Sequence, residues 1–558
     1  MENEKNKEQE EYEKRLRRRL EILKKEMEAG KVHLPNDAQI KNSLLSIKYD
    51  SNGQIDLNTV DGIVRSMALG IEAMHDREEL KNSISLKEIQ NTYFNFIEDN
   101  FGEYFKIMQE KKLTPHQAAI ALTRSQEGIE AFSKPIPDFL EAISDFWLDA
   151  NEPTSIHIED SFNTLKGVFG GDLFPSNEES IASKCGLYTD TIILPDPFIR
   201  TKDLFPRWDQ KDRAYYLLKH AMNLLQYKDL ACSDLDLPII VILADKFLVD
   251  DYERKYITKM GEEDALYHAY KLFNRKFESF QEFMDFTKSL DTIDKIKNEV
   301  KSPEKILFDT EWGNTLEEQL KRASESQSKL IGTSNPGIIL STMAMGRMGV
   351  SNEILFKANR LKSTPLIDAP TSWKYFNWKL EYDAERYKED KSQLGNLHIL
   401  KGLQDLKEGE MQWLGKIPHS ALIEIRKEGA LEEIRHIINK GIEELISIDA
   451  NDFDTTSKKI FDNIYESFEN HQKSINELKS KKWKFAGKDI GTWLVVGTLE
   501  VAAAATGLPL WGLGGIAANQ LLDAPKIKDI PKSFQKLLEE SKKIKRSPVG
   551  LLFKYKDK

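Results

Sequence analysis

Apolar residues along the chain recur mostly at three- and four-residue spacing, the period of a helix that buries one face. Leu16, Leu20, Leu23 and Met27 form one such stripe on a segment otherwise built of Glu, Lys and Arg. It reads as a two-heptad seam over residues 12–27, which either docks on its own domain or joins two copies of the chain. Ile63, Met67, Ile71 and Met74 predict a second helical face, and Phe94, Phe96, Ile97, Phe101 and Phe105 an aromatic one. Thr114-Pro115 is a helix start, with Thr as the cap and Pro in the first turn. Further helices are expected at Asp138 to Leu148, Arg213 to Leu230, and about 420–447 and 452–481. The last of these carries Ile460, Ile464, Phe468, Ile475 and Leu478 on one stripe.

The middle of the chain breaks this rhythm. Gly167, Gly170, Gly171 and Pro175 read as a loop. Two short β-branched runs follow, Leu187 to Pro197 and Pro238 to Asp245, each bounded by proline. Such runs fit buried strands. The expected fold is therefore mainly α: a large multi-helix protein with a small α/β insert near the middle and a C-terminal apolar helical hairpin. The expected segments are a charged N-terminal helix (1–30), a helical domain (31–150), a mixed α/β region (151–300), a second helical domain (301–480) and a basic module (481–558).

Composition supports a helical, globular chain. Of 558 residues, 40% are hydrophobic and 31% charged, with only 30 Gly and 19 Pro to interrupt elements. Cys185 and Cys232 suit neither a disulfide framework nor a four-thiolate zinc site. The first residues carry no apolar core behind a basic start, so the expected compartment is the cytoplasm, with conditional association at an inner membrane.

Charge changes the picture more. The net charge of −11 is split. Residues 473–558 hold 17 Lys/Arg against 8 Asp/Glu, and residues 1–472 hold 63 against 83. An acidic body of this kind is not expected to coat nucleic acid. Within the basic tail, residues 490–522 carry a single charge, Glu500. Trp493, Leu494, Val495, Val496 and Val501 lie in a first leg of 17 residues; Gly507-Leu508-Pro509 breaks it; Trp511 and Leu513 lie in a second leg of 13. A spanning helix needs about 20 apolar residues, so two clean spans are not expected. Lys481, Lys482, Lys484 and Lys488 precede the stretch, and Lys542, Lys543, Lys545 and Arg546 follow it. Basic flanks on both sides would hold both ends on one side of a bilayer. They would attract anionic head groups at about 1 kcal/mol each near the surface. The hairpin is therefore either buried in the body or engages a membrane on a trigger. Over residues 473–558 the layout resembles the apolar hairpins of pore-forming bacteriocins and of membrane-acting bacterial abortive-infection effectors. The resemblance is one of arrangement, without a shared motif.

The chemistry-bearing residues are sparse. Gly512 to Ala517 fits G-x-G-x-x-A but follows no strand, so it carries no dinucleotide reading. His157, Glu159 and Asp160 are compact, and Glu424, Arg426 and Lys427 lie in a helical pattern. Asp190 sits in the first apolar run, Asp196 just beyond it, and Asp245 ends the second; they would hold Mg²⁺ or Mn²⁺ if the strands brought them together. No other cofactor is expected. The favoured function is a non-enzymatic interaction or effector protein of a bacterial-type system, anti-phage or toxin-like, whose acidic body binds a protein partner. The alternatives are a metal-dependent hydrolase or nuclease using the three aspartates, and a structural scaffold subunit.

Overall fold

The computed structural model describes residues 2–32, 37–51, 53–172, 180–245, 251–313, 315–386, 394–405, 417–448, 453–480, 484–485, 488–489, 543 and 547–555. The protein is mainly helical with one small parallel sheet. It divides into two compact units, Met1–Ile89 with Leu148–Ser161, and Gln90–Trp147 with Phe162–Lys558. These bounds cut across the five segments expected from sequence.

In the first unit, α1 (Glu2–Glu28), α2 (Ala38–Leu45) and α3 (Gly62–Ser83) build a small core. The α1 stripe of Leu16, Leu20 and Leu23 is buried against Val60, Val64 and Ala68, with Met27 and Ile71 at its margin. The seam over residues 12–27 is thus covered from within the chain. The buried face of α3 is one residue out of phase with the expected one, and Met74 is exposed. The basic run beside the stripe is also used locally. Arg18 pairs with Glu72 and Asp76, Arg19 with Glu72, and Arg17 donates to the Ile55 carbonyl. His157, Glu159 and Asp160 lie at the end of a helix: His157 meets the Ile84 carbonyl, and Arg77 bridges both acids.

The chain passes into the second unit through α4 (Leu86–Glu110), α5 (Pro115–Leu122), α6 (Gln126–Ser133) and α7 (Ile136–Glu159). Thr114 and Gln117 close a reciprocal capping box at the start of α5. Then come β1 (Lys166–Phe169), α8 (Ile181–Cys185), β2 (Thr191–Pro195), α9 (Pro197–Thr201), α10 (Gln210–Leu225), α11 (Lys228–Ala231) and β3 (Ile240–Leu243). Next are α12 (Asp251–Phe273), α13 (Phe280–Ser289), α14 (Ile293–Glu299), α15 (Leu316–Ile331) and α16 (Pro336–Arg360). Finally there are β4 (Thr364–Leu366), α17 (Pro370–Arg386), α18 (Leu394–Gln404), α19 (His419–Lys427), α20 (Leu431–Asn439), α21 (Ile442–Ile448), α22 (Phe453–Ser480), β5 (Lys484–Phe485), β6 (Lys488–Asp489) and α23 (Pro548–Tyr555).

Strands β1 to β4 pair in parallel in the order β3-β2-β1-β4. β1 replaces the loop expected around Gly167. The glycine is there because a Cβ would stand 2.6 Å from Leu366 Cδ1 on the neighbouring strand. β4 is a three-residue edge strand, which tolerates Pro365 because its outer side needs no amide donor. The opposite edge, β3, is closed by a side chain. Gln90 is fully buried; its amide donates to the Ile242 carbonyl at 3.0 Å and accepts from the Ile242 amide at 2.8 Å. It supplies the pairing that a fifth strand would give.

Two buried histidines add a pH dependence. His220 on α10 lies 3.4 Å from the Thr201 hydroxyl, and His268 on α12 meets the Tyr382 hydroxyl at 2.9 Å. Burial pushes both down to about 3 from the ordinary 6.5. The unfolded histidines take a proton near 6.5 and the folded ones do not. The stability this supports is complete above 6.5 and is lost as pH falls from 6.5 toward 3.

Two outcomes are expected. Gln90→Leu leaves both Ile242 polar groups unpaired and should cost about 2–4 kcal/mol in chemical denaturation. An unchanged midpoint would show that the edge needs no such closure. Each histidine should contribute about 1.4 kcal/mol per pH unit to the fall in stability below pH 6.5. Denaturation curves between pH 6.5 and 5 should flatten in a His220→Gln, His268→Gln protein.

Candidate functional site at the carboxyl end of the sheet

The chain steps outward from β1 to β2 to β3 and then returns to the other side of β1 with β4. In open parallel sheets, ligands bind beyond the carboxyl ends of the strands where the order reverses. Here that place is the pair of turns after β1 and β4, with Gly170, Gly171 and Asp172 on one and Asp368 on the other. Gly171 sits at φ +75°, which admits glycine without strain.

Charges converge on this end, and each has a partner. Arg200, one turn into α9, is buried and donates to Asp245 at 2.7 Å, to Glu353 at 2.7 Å and to the Asp172 carbonyl at 2.6 Å. Lys357 pairs with Asp245 and lies 2.8 Å from Glu353, one turn earlier on α16. Burial alone would raise the Glu353 carboxyl; Arg200 and Lys357 overcome it and hold the group at about 2. Burial would also lower the Arg200 guanidinium, but the two carboxylates raise it instead. Arg347 bridges Asp172 and Ser372, and Lys184 pairs with Asp368 at 2.9 Å. Four acids thus face four bases. A cavity of about 390 Å³, counting its open mouth, lies beside them against Phe169, Ile193 and Leu243. Its walls carry the Asp245–Lys357 and Glu253–Arg360 pairs.

The three sequence-chosen aspartates are not brought together. Asp190 stands at the amino end of β2 and Asp196 just past its carboxyl end, about 20 Å apart at about 3.3 Å per residue. Asp190 accepts from the Leu165 amide at 2.6 Å and pairs with Arg435 at 2.8 Å. Asp196 is fully buried and caps α9, accepting from the Phe198 and Ile199 amides and from the Trp147 indole at 2.6 Å. Burial raises its carboxyl above the usual range against the pull of those donors. Asp245 is held by Arg200 and Lys357. A cation at Asp245 would have to displace both bases. Among the described residues, no group of three or more His, Cys, Asp and Glu is placed to hold a metal ion. Burial pushes the Cys185 thiol up to about 12, away from nucleophilic use. Glu424 and Arg426 lie on α19, where Arg426 donates to the Gly186 and Thr189 carbonyls.

Sequence reasoning missed Arg200, Glu353, Lys357 and Asp172. The readable signal was a Glu and a Lys four residues apart on α16, and an Arg one turn after a capping Asp-Pro. A second neutral set was equally hidden: Asp264 and Asp383 against Lys379 and Arg386, with Asn352 donating to Asp264, joins α12, α16 and α17.

The hairpin residues Trp493, Leu494, Val495, Val496, Glu500, Val501, Pro509, Trp511 and Leu513 lie outside the described residues. So do Lys481, Lys482, Lys542, Lys545 and Arg546. Lys484 and Lys488 fall on the two-residue strands β5 and β6, and Lys543 is exposed. Among the described residues, no helix is long and apolar enough to cross a membrane. No protein-family model, curated protein or solved structure matches the chain.

The buried charge set makes a stability prediction. Arg200→Met strips Asp245 and Glu353 of their shared cation, and about 3–5 kcal/mol of stability should be lost at pH 7. The deficit should narrow as pH falls from about 4.5 toward 2, where the wild type loses the stability that its ionised Glu353 supplies. A loss under 1 kcal/mol at neutral pH would show that Lys357 alone suffices.

Proposed function

We propose that the chain is an interaction or effector protein whose acidic body receives a protein partner and whose basic, apolar tail is the working element. The observation that carries this reading is where the tail is tethered. α22 and α23 pack on each other, and α23 also packs on α19 and α20. Leu551 and Leu552 are buried. Val549 and Leu552 share an apolar cavity with Ile434, Ile438, Ile464 and Phe468. From Phe468, α22 runs on for about 18 Å before residue 480. The two described helices that bracket residues 481–547, α22 and α23, are thus both anchored on the body. A segment held at both ends in this way meets a bilayer as a hairpin, with both flanks on one side. Lysines on both flanks suit the same arrangement. The body's own buried ion pairs support a scaffolding role for the sheet rather than metal chemistry at its carboxyl end.

Vesicle leakage tests the reading. The full chain should permeabilise vesicles rich in anionic lipid, alone or with α23 undocked by Leu551→Asp/Leu552→Asp, and much less so neutral ones. Leu494→Lys/Val501→Lys puts two charges into the apolar leg at about 2.5–3.5 kcal/mol each, so leakage should vanish. Surface binding at low salt should persist in that variant. Absence of leakage from both the wild-type and the undocked chain would overturn the membrane-engaging form of the proposal.

A further inference from the structure

The β1–α8 connection and the start of α19 bring a serine against a histidine. Ser180 Oγ lies 2.9 Å from His419 Nε2. The Asp229 carboxylate and the Gln226 backbone also act on the His419 ring, both favouring its protonated form. In the tautomer protonated at Nδ1, the Nε2 lone pair is aimed at the serine. The imidazole also stacks on Tyr227, ring centroids 5.9 Å apart and planes 17° apart. The Tyr227 hydroxyl bonds to the Ser180 side chain and accepts from the Ile181 amide at 3.3 Å. The Ser183 amide donates to Ser180 Oγ at 3.3 Å. Ser180 Oγ thus faces an acceptor for its proton in His419, and the Ser183 amide is a donor able to steady the charge left behind. Both Ser180 and His419 are half-buried and reach solvent. Burial lowers His419 below its ordinary value, so the ring is neutral and basic at pH 7.

We propose that Ser180 is a nucleophile and His419 its general base, forming a site for acyl transfer from an activated carboxylic ester to water. Ser180 Oγ attacks the carbonyl carbon as its proton passes to His419 Nε2. The ester C–O bond then breaks, and the leaving alkoxide takes that proton and departs as the alcohol. Water attacks the acyl-serine, giving its proton to His419. The carboxylic acid leaves as Ser180 Oγ recovers the proton. A serine in hydrogen-bond reach of a neutral imidazole follows the logic of other activated nucleophiles. The pair is built from residues of the body, and its readout, labelling of Ser180, is separate from the vesicle leakage that tests the effector reading.

The full chain, treated with a fluorophosphonate probe and mapped by peptide mass spectrometry, tests this. Phosphonylation of Ser180 with loss of fluoride is expected. His419→Gln should slow it roughly 100-fold. Ser180→Asp keeps an oxygen to cap α8 and should show no adduct there. The labelling rate should stay level from pH 8 to 6.5 and fall only below, because the histidine protonates below its ordinary value. Hydrolysis of p-nitrophenyl acetate should follow the same order among the variants. No adduct on Ser180 in the folded wild-type chain overturns the proposal. So does an adduct whose rate is indifferent to His419→Gln. The wild-type mapping decides the matter even if a variant fails to fold.

Discussion

The sheet in the second unit depends on one guanidinium. Arg200 ties the turn after β1, the end of β3 and the middle of α16 to the start of α9. Its position follows from Asp196, which caps α9 and so sets where the side chain one turn later projects. Burying two cations and two anions costs several kcal/mol per ion before any pairing. The set offsets this only because it is neutral and because every lone pair offered to Arg200 lies at hydrogen-bonding distance. Its contribution is therefore registry more than net stability: three strand ends and a long helix are held in one arrangement.

That arrangement also explains how the two sheet edges differ. β4 is three residues long with a proline, and its exposed side demands nothing. β3 is a fully apolar edge, and an unpaired amide and carbonyl at Ile242 would be costly in a buried position. Gln90 solves this with one side chain, which requires α4 to run beside β3 at a fixed depth. The aromatic face of α4, with Tyr93, Phe94 and Ile97 buried, sets that depth. Tyr93 lies against Trp147, and Trp147 donates to Asp196, so the edge closure and the capping aspartate are linked through two rings.

Much of this was legible from spacing, and the rest was not for identifiable reasons. The α1 stripe, the aromatic face of α4, the Thr114 cap and the β2 and β3 runs each repeat a local pattern long enough to read. β1 was hidden because glycine in a strand looks like a turn until the close approach of Leu366 is seen. β4 was hidden because three residues with a central proline carry no period. Asp190 reads as part of the first apolar run but precedes β2, so it lies at the opposite end of that strand from Asp196, which the linear sequence does not reveal. The sequence also does not reveal that the bases which neutralise Asp245 come from α9 and α16, 45 and more than 100 residues away. Long-range ion pairing leaves no periodic trace.

A nine-residue helix connects features that sequence treated separately. α19 begins with His419 at Ser180 and ends with Arg426 on the Gly186 and Thr189 carbonyls, the approach to β2. Its apolar side buries Ala421, Leu422 and Ile425, and a Cβ at Gly186 would stand 2.9 Å from Leu422 Cδ1. The same helix packs against α23, the far anchor of the tail. A short helix has little stability of its own, so most of what holds α19 comes from these tertiary contacts. Removing the α23 contact takes support from the helix that presents His419, while removing Ser180 leaves α23 untouched. The dependence between the two regions therefore runs in one direction, from the tail anchor to the histidine.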